Sequence, residues 1–206
     1  LELYSVVPAI RAALDEPDEP ATPRSLPALT AAVDQAMAAR MACDYPTLGS
    51  ILPGVLAETR ALWEANNDPR AGALLVQAAV TGSLALKPAG WIDLAILLAN
   101  LGHSVARTVG DPVLIAAADY GVAQCALAAG NHRRSYNLAV DAADRIGSAT
   151  GVDLSAQHTW STMLHLHAAL SAASLHNGSG AEGHLAEAKV FAGRVEGDPW
   201  RMEAST

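Results

Sequence analysis

The sequence predicts an all-α fold of stacked antiparallel helix hairpins, a right-handed α-solenoid of about four hairpins preceded by a short N-terminal helix. Three observations carry that expectation. Apolar residues make up 51% of the chain but aromatic residues only 4%. Ala and Leu therefore supply most of the core; they favour close-packed helices, whereas strands draw on Val, Ile, Thr and aromatics. Asp-Pro recurs at Asp68-Pro69, Asp111-Pro112 and Asp198-Pro199. Asp at an N-cap followed by Pro at the first helical position is a helix start, because Asp accepts from free N–H groups and Pro has no N–H to leave unsatisfied. The three starts are 43 and 87 residues apart, close to one and two units of a single period, and a fixed period of this size marks stacked repeats. A globin-like fold or a four-helix bundle predicts no even period.

The elements follow in order. Tyr4 to Leu14 reads as a short helix. Asp15 to Pro27 carries Pro17, Pro20, Pro23 and Pro27 with acids between them, the composition of a semi-rigid linker that tethers a small preceding element to the repeats. Residues 28–206 are then the repeat domain. Helices are expected near 26–43, 45–65, 69–86, 89–109, 111–129, 131–149, 158–177 and 181–196, forming four hairpins. The turns between partners carry helix breakers at Asp44 and Pro46, Lys87-Pro88, Gly130-Asn131 and Gly178-Ser179-Gly180. Small residues recur at helical spacing, as in Ala118, Gly121 and Cys125, or Ala139, Ala142 and Ala143, and let helix axes approach closely. Leu114, Val122, Tyr136, Val140, Ile146, Leu185 and Phe191 are expected to fill the space between layers.

Bulk properties narrow the function. The formal net charge is −8, and a surface this acidic repels phosphate backbones, so these residues alone are a poor nucleic-acid binder. His132-Arg133-Arg134 is the nearest approach to a basic patch and reads as a solvated helix start. No apolar run reaches the roughly 18 residues needed to cross a bilayer, so no membrane partner is expected. Cys43 and Cys125 are too few for a disulfide framework and read as buried free thiols in a reducing cytoplasm.

The run Val7-Pro8-Ala9-Ile10-Arg11-Ala12-Ala13-Leu14, the Pro-rich spacer, and Tyr45-Pro46-Thr47-Leu48-Gly49-Ser50-Ile51-Leu52-Pro53-Gly54-Val55-Leu56 resemble actinobacterial helix-turn-helix transcription regulators of the Xre type, specifically their C-terminal tetratricopeptide-like domain. Trp91-Ile92-Asp93-Leu94-Ala95, Leu127-Ala128-Ala129-Gly130-Asn131 and Leu164-His165-Leu166-His167-Ala168-Ala169-Leu170 fit the same pattern. The resemblance runs along nearly the whole chain and rests on order and spacing. It implies a cytoplasmic, ligand- or partner-sensing and dimerising domain, a homodimer, with DNA bound only through a helix-turn-helix domain preceding Leu1. It also implies a further repeat, opening at Asp198-Pro199-Trp200, that continues past Thr206. The alternative is a free-standing tetratricopeptide adaptor.

Candidate chemistry is sparse. His165 and His167 lie two apart, on different faces of a helix, and cannot ligate one metal together. His158 and His165 share a face but have no Cys, Asp or Glu at ligand spacing, so no metal site and no cofactor are expected. No Gly-rich phosphate loop, Gly-x-Ser-x-Gly elbow or His-Glu-x-x-His is present, and no catalytic residue or enzyme activity is expected. Asp141, Asp144 and Arg145 read as an exposed face. The positive expectation is a groove lined by the first helix of each hairpin, taking a small molecule or a peptide. Counting back from the turns gives Gln77 and Thr81, then Tyr120 and Gln124, each pair four apart and so on one face; the last turn gives His165 or His167, and Asp34 is a weaker candidate. Arg107, Arg133 and Arg134 are a separate candidate set for an anion.

Overall fold

The computed structural model describes residues 3–15 and 21–195, and it describes side chains from Val7 onward. Every regular element among the described residues is helical: α1 (Leu3–Leu14), α2 (Leu26–Met41), α3 (Tyr45–Asn66), α4 (Pro69–Leu86), α5 (Ile92–Val109), α6 (Pro112–Ala128), α7 (His132–Gly147), α8 (Leu154–Ser174) and α9 (Gly178–Ala192). The all-α expectation holds. From α2 onward consecutive helices pair as hairpins, and their first helices start at 26, 69, 112 and 154, steps of 43, 43 and 42. The Asp-Pro starts work as capping chemistry requires: the Asp68 carboxylate accepts from the Arg70 N–H, and that of Asp111 accepts from Val113 and Leu114. Asp198-Pro199 lies outside the described residues.

The chain divides into two compact units, Leu1–Val109 and Gly110–Thr206, each of which stacks two hairpins. In the first, α4 is central, with α2, α3 and α5 all packed against it. Fifteen of its eighteen residues are buried. Two glycines let its neighbours come this close. A Cβ at Gly72 would lie 2.7 Å from Val109 Cγ2 and 2.9 Å from the Trp63 ring, and one at Gly82 would lie 2.8 Å from Leu98 Cδ1. This geometry corrects the groove expectation at α4. Gln77 is 6% exposed and Thr81 2%, because the first helix of this hairpin is covered on all sides.

The reading of α1 as an element held apart by a linker is also corrected. α1 packs on α3, burying Val7 and Ile10. Its last carbonyls, Leu14 O and Asp15 O, accept from Arg60 Nη1 at 2.7 and 3.1 Å, and Arg11 pairs with Asp93 at 2.6 Å. Of the linker prolines, Pro17 and Pro20 lie outside the described residues, Pro23 is in extended chain, and Pro27 already belongs to the first turn of α2. The extended segment is pinned by Glu58, whose carboxylate accepts from the Arg24 backbone N–H at 2.9 Å and from its Nε at 2.8 Å.

In the second unit α6 packs on α7 and α8, α7 on α8, and α8 on α9. Ala123, Ala139 and Ala168 meet at its centre, and Ala118, Gly121, Cys125, Ala142 and Ala143 are buried as expected from their spacing. Gly130, at φ +78, turns the chain between α6 and α7, a left-handed conformation that glycine adopts without steric cost. Gln157 Nε2 donates to the carbonyls of Ile146, Gly147 and Ala149 and so closes the C-terminal end of α7. Two expectations fail here. The last turn is made by His176, at φ +58, and Asn177, whose side chain caps the Gly180 N–H. Gly178, Ser179 and Gly180 belong to α9. Leu185 is 51% exposed rather than interior. Cys43 is exposed at a left-handed turn position, unlike the buried Cys125.

Candidate functional site

The second unit contains an open cleft of about 670 Å³ between α7, α8 and α9, lined by Ala143, Asp144, Gly147 and Ser148, by His165, and by Gly180, Gly183, His184, Glu187 and Phe191. Its polar groups arrive by helical spacing. His184, Glu187 and Phe191 sit at i, i+3 and i+7 on α9, so all three project to one side. Asp144 reaches the same space from the last turn of α7.

At the cleft wall a chain of hydrogen bonds links three helices. The Tyr136 hydroxyl lies 3.1 Å from His184 Nε2, and His184 Nδ1 lies 3.1 Å from His165 Nδ1. The two imidazole planes are inclined by 29° with centroids 5.4 Å apart. That separation exceeds the Nδ1–Nδ1 distance by about two ring radii, so each Nδ1 points at the other along the line joining the rings. One proton fits between them. Either His184 Nδ1–H donates to His165 and Nε2 accepts from Tyr136, or His165 donates and His184 Nε2–H is given to the phenol oxygen. Two protons between the nitrogens would face each other, so the intact pair carries at most one positive charge. Burial pushes the His165 imidazole below the usual histidine value, the positive charge of protonated His184 pushes the same way, and Glu187 and Asp144 oppose it. Phe191 lies parallel to His165, at 8° and 5.7 Å, with Arg194 over its ring at 5.8 Å and His158 at 6.0 Å. Among the described residues no group of three or more His, Cys, Asp or Glu is placed to hold a metal ion, and two lone pairs aimed at each other do not converge on a third point.

A second cluster is internal. Ser135 Oγ lies 2.8 Å from His167 Nε2 and 2.9 Å from Ser171 Oγ, and it donates to the Ala123 carbonyl at 2.9 Å. All three side chains are at most 2% exposed. A serine beside a histidine invites a nucleophilic reading, but its proton is committed to a carbonyl. His167 Nε2–H then donates to Oγ and is not positioned as a base. Tyr120 packs edge-on against Trp160 at 5.9 Å and His167 at 5.7 Å and accepts from Gln124 Nε2 at 2.6 Å.

Comparison with family models, with curated proteins and with solved structures finds no match. The site therefore rests on its own geometry.

Six residues were expected to line a groove, and the structure distributes them over three places. Gln77 and Thr81 lie inside the first unit. Tyr120, Gln124 and His167 come together, and Tyr120 and Gln124 do share a face, but Tyr120 and His167 are buried in the second unit and Gln124 is half-buried over Tyr120. His165 alone reaches the cleft. Asp34 is exposed on α2; Arg107 is exposed on α5, and Arg133 and Arg134 in the first turn of α7. Asp141, Asp144 and Arg145 are all exposed on α7, as the sequence predicts, and Arg145 is also held from below. It spans to Asp119, which is 2% exposed, at 2.6 Å. His184 and Glu187 were not anticipated. The i, i+3, i+7 spacing of His184, Glu187 and Phe191 was the available signal, and placing the start of the last helix three residues late obscured it.

Proposed function

We propose that this chain is the ligand- or partner-sensing domain of a DNA-binding transcription regulator, similar to the C-terminal tetratricopeptide-like domains of actinobacterial Xre-type proteins, acting in the cytoplasm as a homodimer. DNA is contacted by a domain outside these residues. The observation that carries the reading is the cleft between α7, α8 and α9, a concavity within the 300–1,000 Å³ range of small-ligand sites. Its wall is a hydrogen-bonded aromatic chain rather than a nucleophile–base pair. The net charge of −8 fits a module that leaves phosphate binding to another domain. A sensing role requires that a ligand bind two conformations unequally. The cleft offers a place for such a ligand, because its α9 side buries only Ala188 fully and leaves the other α9 side chains available to contact it.

A free-standing adaptor is the second reading, favoured by Leu166 and Leu170, one helical turn apart on α8 and 43% and 53% exposed, an apolar pair that a protein partner would cover. The coding sequence upstream of Leu1 separates the two. A helix-turn-helix there, with the full-length protein retarding a fragment of its own promoter and a cleft ligand altering that retardation, is the expected result. An upstream frame without a DNA-binding domain refutes the regulator.

A further inference from the structure

We propose that the cleft between α7, α8 and α9 selects a small organic cation, a protonated amine on an apolar or aromatic body. This inference rests on the cleft being the sensing site and names the class of ligand. Two carboxylates, Asp144 from α7 and Glu187 from α9, face the cleft from different helices, and its described lining contains neither Lys nor Arg. Arg194 lies over the Phe191 ring and is not part of the lining. An anion entering the cleft would be repelled by both acids; an ammonium group is attracted by both.

The rest of the lining suits the body of such a ligand. Phe191 and His165 stack in parallel beside the cleft, and their ring edges and remaining faces give an aromatic wall against which an apolar or aromatic body can pack. Gly147 and Gly183 expose backbone: a Cβ at either would meet nothing within 4 Å. Gly183 sits in a helix interior, where glycine costs roughly 1 kcal/mol relative to alanine, and no neighbour requires its lack of a side chain. An open cleft does. The imidazole pair adds a condition. Uncharged, it leaves the acids unopposed. Singly protonated, it places a positive charge beside them and weakens their attraction for a cation.

The test uses three probes of one shape and different charge: benzylammonium, benzyl alcohol and benzoate. Each is titrated into the chain while the ring signals of His165 and His184 are followed by NMR. Saturable shifts with benzylammonium, weaker ones with benzyl alcohol and none with benzoate are expected at pH 7.5. Asp144→Asn and Glu187→Gln, both isosteric changes at exposed positions, should each weaken benzylammonium roughly tenfold while leaving benzyl alcohol unchanged, the size of one lost charge-assisted hydrogen bond. Gly183→Leu should abolish binding of both. Benzylammonium affinity should fall on going to pH 5, as the pair takes up its proton, and benzyl alcohol affinity should not. Equal shifts from all three probes, or tighter binding of benzoate, overturn the cation proposal and leave the cleft as a sensing site. No saturable shift from any probe overturns both.

Discussion

One substitution, made at two glycines, tests whether close helix approach and open space are correctly distinguished. Gly72 of α4 and Gly183 of α9 are both helical, and replacing either with Ala gains about 1 kcal/mol of helix propensity. The steric terms differ. At Gly72 the new methyl would stand 2.7 Å from Val109 Cγ2 and 2.9 Å from two carbons of the Trp63 ring. A β-branched side chain and an indole cannot yield as a flexible chain end does, and overpacking of this kind costs typically 1–3 kcal/mol. The net expectation for Gly72→Ala is a loss of up to about 2 kcal/mol. At Gly183 nothing lies within 4 Å, so Gly183→Ala should stabilise by about 0.5–1 kcal/mol. Because the chain has two compact units, native-state hydrogen exchange of α4 and α9 amides is the appropriate measurement, since it reads local opening energies separately. Exchange in α4 should accelerate in Gly72→Ala, and exchange in α9 should slow in Gly183→Ala. Equal effects of the same sign would refute the assigned packing of α4 against Trp63 and Val109.

Three further outcomes are expected. The Glu58 carboxylate is held below its usual value by hydrogen bonding from Arg24, so its contribution is complete above about pH 4.3 and is lost as the pH falls below that; Glu58→Gln should cost up to about 1 kcal/mol at pH 7 and remove that segment of the pH–stability curve. His165 is depressed in the folded state, so the unfolded chain takes up a proton first. Stability of the second unit should be full above about pH 6.5 and decline as the pH falls from there, and His165→Gln should flatten the decline. Ser135→Ala strands the Ala123 carbonyl, His167 Nε2 and Ser171 Oγ in the interior and should destabilise by about 2–3 kcal/mol in urea denaturation.

Local signals made most of the fold legible. The Asp-Pro pairs located the starts of α4 and α6 because capping and ring geometry act within three residues, and the small-residue spacing of α6 and α7 identified their buried faces. The misreadings concern what packs on what. The prolines before α2 suggested a tether, but Val7 and Ile10 turn α1 onto α3, a tertiary contact with no mark in the linker itself. At the last turn, three residues with glycine at both ends looked like a break. The helix nevertheless starts at Gly178, because the Asn177 side chain supplies its cap and α8 supplies the packing that propensity lacks.

The displaced site follows from the same physics. Polar residues of first helices were assigned to an open face by counting from turns, which supposes that first helices stay uncovered. In a unit of two stacked hairpins they do not. α6 carries both α7 and α8 against it, so Tyr120 is buried with the half-buried Gln124 donating to it, and His167 of α8 is drawn into the serine network. Exposure survives on α9, which packs against α8 and has a single fully buried residue. The cleft lies there, where acids and histidines retain contact with water while the aromatic rings of Tyr136 and Phe191 shield one side. Amphipathic counting locates a helix face; which face remains open is decided by the number of helices that cover it, and that is a property of the stack rather than of any one segment.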